Sequence, residues 1–282
     1  MEIFKYRKNL KLHLAKLRTE GRSLGFVPTM GALHEGHISL IRKAKTETGA
    51  VICSIFVNPT QFNDKKDLEK YPRPVEMDIA MLEAAGCDVV YIPDTGDIYP
   101  DGQEMKASFD SDGLDTRLEG ASRPGHFAGV VQVVKTFLDI IEPNRMYLGQ
   151  KDYQQYVILT KLVEKMKMSV TVVRCDIVRE KNGLAMSSRN ARLSEPVRWK
   201  AGIIYVTLRY AVSLFPLLSF AEIKNMAVDA INSVEGFKVD YFEILDAENL
   251  NVIENKNNVR EIVIVTAVIV DGVRLLDNVV IG

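Results

Sequence analysis

Between residues 23 and 176, five short apolar runs alternate with segments long enough for amphipathic helices. The runs are Ser23 to Val27, Val51 to Val57, Asp88 to Ile92, Arg145 to Leu148 and Val170 to Cys175. Near-continuous apolar character suits strands buried on both faces, and such strands alternating with helices require a mostly parallel sheet with helices on each side. Val75 to Ala85 reads as one helix, closed by Gly86. Gly129 to Ile141, with Val130, Val133, Val134, Phe137, Ile140 and Ile141 at helical spacing, reads as another, stopped by Pro143. The expected fold class is therefore α/β, a doubly wound parallel sheet.

After the stretch VREKNGLAMSSRNARLS the pattern changes. Helical segments are expected at Pro196 to Leu217 and Phe220 to Ser233, followed by three strand-like runs. The last two, Glu261 to Val270 and Val273 to Val280, are joined by Asp271-Gly272, a two-residue turn that tolerates positive φ and so favours a hairpin. This is a smaller α+β unit with an antiparallel sheet. The expected division is residues 1–177 and 178–282, and the default ligand position is a cleft.

Composition narrows the function. The chain has 282 residues, 47% of them hydrophobic and 26% charged, with a formal net charge of -1. That balance excludes disorder, and no block of like charge marks a nucleic-acid or membrane-surface tail, so a small substrate is expected. Cys53, Cys87 and Cys175 lack C-x-x-C spacing and are odd in number, which argues against a disulfide framework and for a cytoplasmic protein. The N-terminus lacks the plan of a secretory signal, and no apolar stretch reaches the roughly 18 residues of a membrane span.

PTMGALHEGHISL, residues 28 to 40, places two of the four histidines three apart, directly after the first run. In an open parallel sheet that position is a strand-to-helix loop, where free N–H groups at the helix start attract anions. Gly31 and Gly36 allow close backbone approach, and a phosphate there could meet both imidazoles. Metal ligation and plain surface decoration are the alternatives. H-E-G-H lacks the i, i+4 spacing of H-E-x-x-H, and no Cys partner lies nearby. The absence of G-x-G-x-x-G, and of Lys-Ser or Lys-Thr after Gly36, argues against a dinucleotide dehydrogenase and a P-loop NTPase.

HEGH resembles the HxGH motif of class I aminoacyl-tRNA synthetases and nucleotidylyltransferases, and MSSRN at 186 to 190 resembles their KMSKS-type loop. The wider set, FVPTMGALHEGH, SIFVNPTQF, KYPR, LEGASRPGHFAGV, GQKDYQQ and NGLAMSSRN, is similar in content and order to the pantothenate synthetase (pantoate–β-alanine ligase) family. The likeness runs on less specifically to RLLDNVVIG. It implies a Rossmann-like N-terminal domain that binds ATP and pantoate, a C-terminal lid domain, and a cytoplasmic homodimer. It also implies a two-step, magnesium-dependent ligation. In the first step the pantoate carboxylate attacks the α-phosphorus of ATP and releases pyrophosphate. In the second, the amine of β-alanine attacks the pantoyl adenylate, giving pantothenate and AMP. Substrate atoms supply both nucleophiles, so positioning and charge stabilisation are what the protein contributes.

Carried over by motif, His34, His37 and Lys151 form the catalytic set, with His37 the residue usually assigned as proton donor in this family. Charge stabilisation is physically preferred, because an imidazole donates from one nitrogen even when neutral. The ATP-binding positions implied are Met30, Gly31, Ala32, Leu33, His34, Glu35, Gly36 and His37, then Gly149, Gln150, Lys151 and Asp152. Val178, Met186, Ser187, Ser188 and Arg189 complete them. Asp152 is open between a ribose acceptor and a helix N-cap. Gln61, Gln155 and Asn58 are implied for pantoate and β-alanine, amides offering both donor and acceptor. Glu119, Arg123 and His126 carry no atom-level assignment; Arg123 suits a substrate, lid or subunit-bracing role. Met77 interrupts the acidic run Glu76 to Asp78, which leaves protein ligands to magnesium open, the ion being held mainly by phosphate oxygens and water.

Three rivals share some of these features. Another nucleotidylyltransferase would take a different acceptor, against which Gln61 with Gln155 argues. A non-catalytic nucleotide sensor is disfavoured by the joint presence of both histidines, Lys151 and Arg189. An aminoacyl-tRNA synthetase would need a basic extension that is not seen.

Overall fold

The computed structural model describes residues 1–63, 65–102, 109–254 and 260–282, with backbone only for residues 65–67. The described chain divides into two compact units. One comprises Met1–Gly149 with Gln154–Cys175, the other Gln150–Tyr153 with Asp176–Gly282.

The first unit is built on a six-stranded sheet whose pairings are all parallel. Its strands are β1 (Glu2–Phe4), β2 (Leu24–Thr29), β3 (Ala50–Ile55), β4 (Val89–Tyr91), β5 (Arg145–Gly149) and β6 (Thr171–Cys175), in the order β1-β4-β3-β2-β5-β6. This is the doubly wound, Rossmann-like arrangement. All six residues of β3 are buried, as its nearly continuous apolar text requires. The edge strand β1 was not among the expected runs, because three residues ending in a charged, helix-bound segment carry no strand periodicity. From β2 the chain moves outward through β3 to β4, then returns to add β5 and β6 on the other side. The reversal between β2 and β5 is a topological switch point, where ligands of such sheets bind beyond the strand ends.

Asp88, just ahead of β4, ties three elements of this unit. It accepts from Arg22 at 3.2 Å, from Lys45 at 2.8 Å and from the Val51 N–H at 2.8 Å. Partial burial pushes its carboxyl up, but the bonds from Lys45, Val51 and Arg22 outweigh that and hold it below the usual carboxylate range. A depressed folded pKa contributes stability above the unfolded value of about 3.9, lost as pH falls through the folded one. Asp88→Asn is therefore expected to cost about 1 kcal/mol in urea unfolding at pH 7, after allowance for solvent screening, and less at about pH 3, below the unfolded pKa, where part of that contribution is already lost. An equal cost at both values would show that the charge contributes nothing.

The second unit carries an antiparallel sheet of β7 (Phe237–Asp246), β8 (Ile262–Val270) and β9 (Val273–Ile281). Asp271 and Gly272 have φ of 45° and 77°, the paired positive values of the tight hairpin expected from the sequence. Helices Ile203–Ser213 and Phe220–Asn232 cover this sheet, with Leu208, Ile223, Phe242, Ile264 and Val268 in the shared core. Where one helix from Pro196 to Leu217 was expected there are two, Glu195–Lys200 and Ile203–Ser213. The break has a local cause. The Asn182 side chain donates to the carbonyls of Arg198 and Trp199 at 2.8 and 2.9 Å, capping the first helix, and a Cβ at Gly202 would lie 2.3 Å from the Asn182 carbonyl.

Candidate active site

The loop after β2 runs Met30 to His34 into the helix Glu35–Glu47. Gly31 and Ala32 stand at φ of 80° and 51°, and a Cβ on Gly31 would lie 2.9 Å from Asp78 Oδ2 and 3.0 Å from Ile55 Cγ2. Left-handed alanine is strained by about 1–2 kcal/mol, so something must hold it. Asp78 does: its two oxygens accept from the N–H groups of Ala32 at 2.9 Å and Leu33 at 2.7 Å, and the residue is 1% exposed. Sequence reading noticed Asp78 only as part of an acidic run, because nothing local reveals a partner 45 residues away.

His34 and His37 are brought together at the start of that helix, ring centroids 4.1 Å apart. The Gly36 N–H donates to His34 Nδ1 at 3.1 Å, and the His34 N–H donates to His37 Nδ1 at 3.3 Å. A backbone N–H only donates, so both Nδ1 atoms act as acceptors and the neutral rings carry their proton on Nε2. Two preset N–H donors, plus the helix dipole, suit an anion. Glu35 is exposed and ion-paired with Arg42.

A second cluster of the same unit surrounds the one-turn 3-10 helix Pro59–Gln61. Asn58 Oδ1 accepts from the Thr60 N–H at 3.3 Å, the Thr60 hydroxyl at 3.0 Å and the Tyr99 hydroxyl at 2.9 Å. Its Nδ2 donates to the Gly129 carbonyl at 3.1 Å and to Gln61 Oε1 at 3.2 Å. The Thr60 N–H only donates and the Gly129 carbonyl only accepts, so the orientation of the Asn58 amide is forced, and with it that of Gln61. Gln61 consequently turns its NH2 away from Asn58, toward Met30 Sδ at 2.9 Å, a weak acceptor that a substrate oxygen would outcompete.

Gln61 is also held through its backbone. His126 Nδ1 lies 2.9 Å from the Gln61 carbonyl, which only accepts, so Nδ1 carries the proton and Nε2, 3.2 Å from Arg123, receives one. This bracing is a role that sequence reading left unassigned for Arg123 and His126. Of the neighbouring glutamines, Gln154 is buried, accepting from the Glu119 N–H at 3.0 Å and donating to the carbonyls of Leu114 and Arg117. Gln155 is half-buried on the same helix. Sequence alone did not distinguish a bonded structural amide from its neighbour.

The remaining expected positions, apart from Gly149 at the end of β5, belong to the second unit. Gln150, Lys151 and Asp152 form a one-turn 3-10 helix directly after Gly149, with Lys151 Nζ 3.1 Å from Asp152 Oδ1. Val178 and Met186 are joined by a 2.9 Å backbone bond, closing a tight excursion whose Arg179 and Ala185 also pair. Ser187 caps the next turn by accepting from the Arg189 N–H at 3.2 Å, leaving Ser188 and Arg189 exposed. The unit buries Asn190, whose Nδ2 donates to Glu180 at 2.6 Å and the Ala185 carbonyl at 3.0 Å.

Thiol chemistry finds no support. Burial pushes the Cys87 thiol up to about 12 and that of Cys53 well above its ordinary value. A cavity of about 390 Å³ lies beyond the ends of β2, β3 and β4, bordered by Met30, Gly31, Phe56 and Asp78.

Comparison with known proteins identifies the family. The sequence model of the Pantoate-beta-alanine ligase family matches residues 2–280. A pantothenate synthetase from Bacteroides fragilis is 41% identical over 279 residues, spanning 99% of this chain and 98% of the relative. One from Cytophaga hutchinsonii is 42% identical, covering 97% of each. The crystal structure of the pantothenate synthetase of Thermus thermophilus superposes with a TM-score of 0.91 at 36% identity, over 99% of both chains. The pantoate-beta-alanine ligase of Francisella tularensis, crystallised with β-γ ATP and β-alanine, gives 0.80 at 38% identity over 99% of this chain and 97% of that one. With the doubly wound sheet, the imidazole pair at its switch point and near full-length identity of about two in five, the chain belongs to the pantoate-beta-alanine ligase family.

Proposed function

We propose that this protein joins pantoate to β-alanine at the expense of ATP, through a pantoyl adenylate, releasing pyrophosphate and then AMP. The observation that carries the proposal is the imidazole pair: two rings whose Nδ1 atoms are occupied by backbone N–H groups, each presenting Nε2–H at a helix start.

In the first step a pantoate carboxylate oxygen bonds to the α-phosphorus as the bond to pyrophosphate breaks. Charge grows on the phosphoryl oxygens, and fixed N–H donors stabilise it without reorganising. A neutral Nε2–H suffices, so His37 acts by donation of a hydrogen bond and need not surrender a proton. Lys151 adds a cation at the phosphates, Arg189 with Ser187 and Ser188 holds the outgoing pyrophosphate, and Asp152 accepts from the ribose. Gln61 donates its NH2 to pantoate, while Gln155 supplies a second amide. In the second step the β-alanine amine attacks the acyl carbon, AMP leaves, and the amine proton passes to solvent or phosphate.

Magnesium fits the protein poorly as a directly ligated ion. Asp78 already accepts two backbone N–H bonds, the side chain of Met77 carries no oxygen, and no group of three His, Cys, Asp or Glu among the described residues is arranged to hold a metal. The ion belongs with the triphosphate and water, and no step is assigned to it. A cytoplasmic homodimer, with residues 1–177 binding ATP and pantoate and 178–282 as the lid, completes the reading. No described helix is long and apolar enough to cross a membrane.

The deciding experiment is exchange of labelled pyrophosphate into ATP. Exchange is expected only when pantoate is present, with AMP and pantothenate accumulating once β-alanine is added. Folded, ATP-binding protein that shows neither exchange nor AMP would overturn the proposal.

A further inference from the structure

The C-terminal text RLLDNVVIG had no place in the functional reading, yet it reaches one of the residues named there. Asn278, on β9 and 2% exposed, directs its Nδ2 at two carbonyls, those of Gln150 at 2.9 Å and Lys151 at 3.0 Å. Its Oδ1 accepts from Gln150 Nε2 at 3.1 Å. Carbonyl oxygens only accept, so the amide orientation is forced, and every polar atom of the side chain is spent on this turn. We propose that Asn278 is a positioning residue of the ligase, acting through Lys151; the inference rests on the reading of Lys151 as the cation at the α-phosphate.

Two considerations make the clamp more than ordinary packing. A single 3-10 turn has weak internal hydrogen bonding and does not define its own orientation, so Gln150–Asp152 must be placed from outside. The placing groups all lie in the second unit. At the far end of the same segment the Tyr153 hydroxyl donates to the Ala247 carbonyl at 3.1 Å, so the segment is pinned at both ends although the chain on either side belongs to the first unit.

Asn278 is itself fixed. Its N–H donates to Asp277 Oδ1 at 2.7 Å, and its carbonyl accepts from Arg179 at 3.3 Å. Arg179 grips buried Asp277 with two bonds, 2.6 and 2.8 Å, and lies 3.6 Å over the Tyr205 ring. Buried polar groups satisfied in this way specify one arrangement, since any shift would leave an atom without a partner. The chain's last strand thus sets the backbone from which Lys151 projects, 127 residues earlier.

The test is a double-mutant cycle on the full-length protein, read by pantoate-dependent pyrophosphate exchange. Asn278→Asp keeps size and the acceptor for Gln150 but turns a second oxygen toward two carbonyls. It is expected to lower kcat about 100-fold, the cost of misplacing a group by about an ångström, with the KM for ATP changed by less than about threefold. In a Lys151→Ala background the same substitution should cost less than about twofold, because the residue it positions is gone. Equal losses in both backgrounds, or wild-type kcat in N278D, would overturn the proposal while exchange by the wild type upholds the function. No exchange by the wild type would overturn both. Should N278D fail to fold, Asn278→Ala removes the clamp without adding charge and carries the same cycle with the same expected non-additivity.

Discussion

His37→Ala is expected to reduce pantoate-dependent pyrophosphate exchange about 100- to 1,000-fold, the usual cost of one fixed donor at a developing oxyanion, while ATP binding weakens far less. Two isosteric changes locate the atom responsible. The amide nitrogen of glutamine can reach the position of Nε2, and that of asparagine the position of Nδ1. Because the His34 N–H occupies His37 Nδ1, His37→Gln should retain about tenfold more activity than His37→Asn. The reverse order would place the essential donor on Nδ1, which the backbone geometry forbids. Equal losses of binding and rate in H37A would mean that the contact serves the ground state.

Gly129→Ala should displace the turn that carries Gln61. A Cβ there would lie 2.4 Å from the Thr60 carbonyl oxygen, 2.5 Å from its carbon and 2.7 Å from the Gln61 nitrogen. All three are backbone atoms, so no flexible side chain can yield, and the turn carrying Gln61 must move. Overpacking of this kind typically costs about 1–3 kcal/mol, read as a lower urea midpoint. The same displacement breaks the Asn58 bond to the Gly129 carbonyl, which orients the Gln61 amide. The KM for pantoate should therefore rise at least about tenfold with the KM for ATP nearly unchanged. An unchanged pantoate KM in a destabilised protein would remove Gln61 from pantoate binding.

The second prediction depends on contacts distant in sequence, and this marks the boundary of what sequence reading reached. Five of the six strands of the doubly wound sheet were legible as apolar runs, most plainly β3, which is buried along its whole length; β1, three residues at an edge, was not. The hairpin at Asp271-Gly272 was legible because positive φ is a local demand. The division of Pro196 to Leu217 into two helices was not, since Asn182 enforces it from outside the segment. The candidate site behaves likewise. His34, His37, Gln61 and Lys151 were found through short motifs whose spacing is local, but the residues that orient them were passed over. Asp78, Tyr99, Gly129 and Asn278 lie between 39 and 128 positions from the site groups they bond.

Sequence by itself determined the fold class, the place of the imidazole pair after the first central strand, and the residue types available for phosphate and amide chemistry. Those follow from periodicity, turn preference and side-chain chemistry, which act over a few residues. The cap geometry of the helix start decided which nitrogen of each histidine is a donor, and tertiary structure alone decided which face of Gln61 is presented, which of two adjacent glutamines is structural, and what anchors Lys151. Such choices are made by hydrogen-bond partners of fixed polarity, a backbone N–H that only donates or a carbonyl that only accepts; the helix start supplies them locally for the histidines, and folding brings them from remote parts of the chain for the glutamines and the turn of Lys151.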